Sequence, residues 1–121
     1  MLMTPERFQR FESLFVFAAM LVLYQESGSS WVLFAVLILA PDLFMLGYVK
    51  DSRIGALVYN IGHSYGLPVL ALAGWWFGDV GWLLPVGVIW AAHIAMDRLF
   101  GYGLKLESGF RDTHLGEIGR R

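Results

Sequence analysis

The chain has no cysteine. That excludes disulfide bridges, thiolate metal ligands and a thiol nucleophile, so any metal site has to be built from histidine and carboxylate. Charge is also scarce: Asp, Glu, Lys and Arg make up 16% of the 121 residues, against about 25% in ordinary soluble domains. The net charge is −1, which leaves no basic field to attract nucleic acid. No repeat, low-complexity segment or nucleic-acid-binding motif is present, so no nucleic-acid partner is expected. Met1 to Glu12 carries charges of both signs and lacks a small-residue cleavage site, so no removable leader is expected either. The length supports one domain, residues 1–121.

Apolar residues are abundant, at 57%. They fall into four runs, residues 11–27, 31–49, 54–76 and 80–100, followed by a tail over 101–121. A helix needs about 20 apolar residues to cross a bilayer, and the last three runs approach or exceed that. The first reaches it by extending to Ser27, with Gln25 and Glu26 at the interface. Phe15–Leu23 and Trp31–Leu39 are apolar all round, whereas a soluble helix keeps one polar face. The links Gln25–Ser30, Lys50–Arg53 and Phe77–Asp79 are short enough to force antiparallel neighbours. The expected fold is therefore all-α, a four-helix transmembrane up-down bundle.

With four spans, all nine Lys and Arg residues fall on one side: Arg7, Arg10, Lys50, Arg53, Arg98, Lys105, Arg111, Arg120 and Arg121. The positive-inside rule puts that side, and both termini, in the cytoplasm. Trp31, Trp75, Trp76 and Trp82 lie near the opposite ends, where aromatic rings anchor at the lipid–water boundary.

Against this background the ionisable residues stand out. At about 1.5 Å per residue, Asp42 and His93 lie roughly 10 Å from the cytoplasmic helix ends and His63 roughly 13 Å. Asp97 lies one turn nearer the interface. Three helices thus offer polar groups at one depth. His93 and Asp97 share a face at a spacing of four, and Tyr59, Asn60 and Ser64 accompany His63. Pro41 and Pro68 lack an N–H and are expected to free the carbonyls of Leu37 and Ser64.

Singly, each residue reads as well as a packing hydrogen bond or a snorkelling charge. Together they exceed one structural pair, and ionisable groups in hydrocarbon mark function. Asp42, His63, His93 and Asp97 form a ligand set for zinc, manganese or iron. The tail is expected to fold back on the cytoplasmic face, either bringing His114 to the site as ligand or general acid/base beside Asp97, or lying at the interface with Lys105 and Arg111 on anionic headgroups. Arg98 and Lys105 would hold a headgroup, with Tyr59 and Asn60 near the substrate.

Pro41-Asp42-Leu43, Tyr59-Asn60-Ile61-Gly62-His63, His93-Ile94-Ala95-Met96-Asp97-Arg98, Gly101-Tyr102-Gly103-Leu104-Lys105 and Thr113-His114-Leu115-Gly116 resemble, in order, the signature blocks of domain-of-unknown-function family 4260. This is a family of small bacterial integral membrane proteins. The resemblance runs from the first span to Gly116 and implies an inner-membrane protein of about this size. It implies no activity. By looser analogy, the His-and-Asp content resembles multi-span membrane proteins described as metal-dependent hydrolases.

Three functional classes follow. The leading one is a metal-dependent, hydrolase-like membrane enzyme acting on a lipid-like or amphipathic substrate. The second is a proton- or metal-ion-handling transporter subunit, which would need a homo-oligomer packed through Gly55, Gly62, Gly66, Ala71 and Gly74. The third is a structural or partner-binding membrane protein whose polar cluster specifies helix packing.

Overall fold

A computed structural model describes residues 4–106, 109–113 and 115–117. All four apolar runs are helical, and two of them are interrupted. Helix α1 covers Pro5–Ser27, α2 Trp31–Leu37, α3 Ser52–Gly62, α4 Gly66–Gly78 and α5 Leu83–Leu99, with a 3₁₀ helix at Ala40–Val49 between α2 and α3.

The boundaries follow from local chemistry. Thr4 caps α1 by accepting from the Arg7 N–H, and Pro5 fits its first turn. Gly28 ends it at φ 71°, a left-handed conformation that suits glycine. Ser30 and Asp51 cap α2 and α3 through their side-chain oxygens. After α2, Pro41 cannot continue α-helical bonding, and the turn tightens so that the Asp42 N–H reaches Leu39 O at 3.1 Å. The third run stops at Gly62 with His63 as C-cap and restarts at Gly66. Pro68 thus falls in the first turn of α4, where its missing N–H costs no helical bond. The interruption, residues 63–65, contains Ser64, the residue whose carbonyl Pro68 was expected to free.

Helix α5 is the spine. Val88, Ala92, Ile94 and Ala95 are wholly buried, and α1 and α4 pack along it. Tyr24 joins Val88 and Ile89 in a core completed by Phe34, Leu37 and Leu72. The Arg10 guanidinium donates to Leu99 O at 3.0 Å, placing a cation at the C-terminal end of α5. The 3₁₀ helix packs instead against α3. Their approach depends on glycine: a Cβ on Gly55 would stand 2.3 Å from the Tyr48 ring, and one on Gly62 2.3 Å from Phe44.

The tail folds back, as expected, and does so as a sheet. Strands β1 (Lys105–Leu106), β2 (Gly109–Thr113) and β3 (Gly116–Glu117) form an antiparallel sheet in the order β1-β2-β3, and β1 and β2 lie against α3. Lys105 pairs with Thr113 and Thr113 with Gly116. His114 lies outside the described residues.

Among the described residues one helical stretch, Trp31–Tyr48, is long and apolar enough to cross a membrane, with a mean hydropathy of 2.0 and only 6% of it buried inside the protein. Large apolar side chains are also exposed on α1 (Phe11, Phe15, Val22) and α4 (Val69, Leu70, Trp76, Phe77).

Candidate metal centre

The two interruptions bring three segments to one point. Asp42 stands at the start of the 3₁₀ helix, His63 at the break after α3, and His93 and Asp97 one turn apart on α5. One ligand atom from each of the four lies within 4.8 Å of all the others. His63 Nε2 is 3.1 Å from Asp42 Oδ1 and 3.5 Å from Asp97 Oδ2. His93 Nε2 is 3.2 Å from each of those oxygens and 3.2 Å from His63 Nε2. Ligands bound tetrahedrally at the usual zinc–nitrogen and zinc–oxygen distances stand about 3.4 Å apart. The five spacings that involve a histidine fit, and the cluster can hold a metal ion.

The second nitrogen of each ring fixes what the first can do. His63 Nδ1 faces Tyr59 O at 3.0 Å, and His93 Nδ1 faces Ile38 O. A carbonyl only accepts, so each Nδ1 carries the proton and donates. In the neutral rings both Nε2 atoms then present lone pairs to each other and to two carboxylate oxygens. A proton can satisfy one such pair, whereas a divalent cation satisfies all four acceptors together. Backbone carbonyls orienting histidine ligands in this way are the usual outer shell of a metal site.

Each of those carbonyls is available for a traceable reason. In a continuous α-helix Ile38 O would accept from the Asp42 N–H. The 3₁₀ turn diverts that N–H to Leu39 O, and His93 takes its place. At the break after α3, Gly62 O accepts from Trp90 Nε1 at 2.7 Å and His63 O from Arg98 Nη2 at 2.9 Å. The Tyr59 ring stacks on His63 at 3.8 Å and 7°. His63 is therefore held at its carbonyl, at Nδ1 and on one ring face.

Asp42, His63, His93 and Asp97 come together as the sequence suggested. Tyr59 is present as a stacking and carbonyl partner of His63, and Asn60 is half-buried on the same helix. Arg98 differs from its expected role: it is buried and donates to the backbone of His63, which makes it a cap for α3. Lys105 opens strand β1. Trp90 and the Ile38 carbonyl were not foreseen. The freed carbonyl was expected one residue earlier, at Leu37, because the missing N–H of Pro41 drew attention from the shortened turn that follows it. Access is one-sided: the Asp42 side chain is 34% exposed, Asp97 13% and the imidazoles 1%.

A family model described as "Domain of unknown function (DUF4260)" matches residues 6–118, and the chain belongs to that family. No curated protein and no solved structure matches the chain.

Replacing Asp97 by Asn puts an N–H donor beside the lone pair of His93 and removes one negative ligand. The rise in melting temperature that divalent metal gives the wild type should then weaken, with affinity lower by at least about 10-fold. In chelator the variant should melt no lower than the wild type, because one repulsion is relieved. Thermal unfolding in detergent with and without metal checks both. An unchanged metal response combined with a lower melting temperature in chelator would contradict the acceptor-only reading.

Proposed function

We propose that this family member is a four-span inner-membrane protein with both termini in the cytoplasm. It binds one divalent ion, zinc, manganese or iron, through Asp42, His63, His93 and Asp97, and acts as a hydrolase on a lipid-like or amphipathic substrate. One observation carries the reading: four acceptor atoms converge while both Nδ1 atoms are bound to backbone carbonyls.

The membrane part is supported by exposure. A core helix of a soluble protein as long and apolar as Trp31–Tyr48 would be mostly buried, and this one is 6% buried. In this reading α3 and α4 together make the third crossing. The end of α3 suits lipid because Trp90 and Arg98 donate to the carbonyls of Gly62 and His63.

A bound ion supplies Lewis acidity and lowers the pKa of water toward about 7. The chain's own residues do the rest. His63 and His93 fix the ion's place from rigid, buried rings. Asp42, the most exposed ligand, faces the incoming substrate. Asp97 takes one proton from the attacking water and returns it to the leaving oxygen. In balance, the water oxygen bonds to the carbonyl carbon or phosphorus, the bond from that atom to the leaving oxygen breaks, and the proton ends on the leaving group. His114, at the tail, is a second candidate for that proton transfer.

Topology can be tested because the chain has no cysteine of its own. In spheroplasts a membrane-impermeant maleimide should label Ser29→Cys and should reach Lys50→Cys only after permeabilisation. Labelling of Lys50→Cys in sealed spheroplasts would refute the orientation. For activity, metal-loaded protein is assayed against single-chain carboxylic and phosphate esters. Turnover should stop with chelator, return with one of the three metals and fall by more than about 100-fold in His63→Ala. A loaded protein no faster than His63→Ala on every ester would refute the hydrolase assignment.

A further inference from the structure

Between the junction of α2 with the 3₁₀ helix and α5 lies a cleft of about 290 Å³, lined by residues including Leu37, Ala40, Pro41, Phe44, Val86 and Trp90. Its lining surface is almost entirely carbon. The polar groups that could have interrupted it are engaged elsewhere or missing. Trp90 Nε1 donates to Gly62 O, Ile38 O accepts from His93, and Pro41 has no N–H. Water entering such a space finds no hydrogen-bond partners, so the cleft favours an apolar occupant.

The cleft shares both of its walls with the His/Asp cluster. Pro41 immediately precedes Asp42, the most exposed ligand. On the other wall Trp90 lies three residues before His93, one turn along α5. Leu37 adjoins Ile38, whose carbonyl orients the His93 ring. An occupant that fills the carbon-lined space can therefore carry a polar end to the cluster. The volume stands at the lower limit of ligand pockets, about 300 Å³, which suits one chain and excludes a pair.

We propose that this cleft holds a single hydrocarbon chain of an amphiphile whose carboxylate or phosphate end lies at the Asp42–His63–His93–Asp97 cluster. The proposal rests on the hydrolase reading for what happens at that end. Binding of the chain stands on the cleft alone. Burial of a methylene contributes about 0.8 kcal/mol, so each one added should tighten binding about 4-fold until the cleft is full.

Alkyl phosphate and alkanoate probes, each with a diazirine at the chain terminus, test this on the full chain in lipid nanodiscs. Metal content is measured on the same samples. Cross-links should concentrate in residues 37–44 and 86–90 and be competed by unlabelled decyl phosphate or decanoate. Val86→Trp, which fills the cleft from α5, should reduce them at least tenfold while metal content stays at the wild-type level. Ala40→Leu fills it from the opposite wall and serves if Val86→Trp does not fold. Preference for one probe identifies the head group as phosphate or carboxylate. Labels spread over α1 and α4 without enrichment at the cleft, or equal labelling in both filled variants, would overturn the proposal. Cleft labelling in protein that holds no metal would uphold the hydrocarbon site but overturn both the metal reading and the placement of an anionic end at the cluster.

Discussion

A peptide carbonyl denied its helical N–H in an apolar interior must find another donor. The arrangement of this protein follows from how that requirement is met at two interruptions. At the first, Pro41 forces a 3₁₀ turn and Ile38 O passes to His93. At the second, α3 ends at Gly62, and the carbonyls of Gly62 and His63 pass to Trp90 and Arg98 on α5. Tyr59 O accepts both the backbone N–H and the Nδ1–H of His63. The bonds that repair the helices are thus the same bonds that aim the imidazoles.

Polar groups used in this way leave the site with a surplus of acceptors. Two carboxylates and two imidazole lone pairs within 4.8 Å repel one another strongly where the surroundings are poorly polarisable. That repulsion favours a cation at the centre of the set, whether shared protons or a metal. Metal coordination satisfies all four with one charge centre. The carbon-lined cleft lies beside the cluster, and in the proposed reading it is the apolar contact for the substrate.

Much of this was legible in the chain. Hydropathy located the four helical runs, because apolar runs of that length need no long-range information to be recognised. Depth counting and the spacing of four between His93 and Asp97 brought the four ligands together, because helical rise converts sequence offset into distance. The interruptions were legible as tendencies: the prolines marked the right neighbourhoods but not which carbonyl would be used. That depends on where each turn tightens and on which side chain of another helix arrives. The same limit applies to Arg98. Its position near a helix end suggested the interface, whereas tertiary packing turned it inward to cap α3. The tail strands are only two to five residues long, too short for an alternating pattern to register, and two of them lie against α3, a contact no local pattern encodes.

The proposed function depends first on whether the four converging acceptors hold a metal ion. Elemental analysis by mass spectrometry tests it directly, on protein extracted under mild conditions from metal-replete cells. The wild type is set beside the His63→Ala/His93→Ala double variant. The account requires about one transition-metal ion per chain in the wild type and none in the variant. Wild-type protein with no stoichiometric metal, or a variant that retains it, would contradict the account.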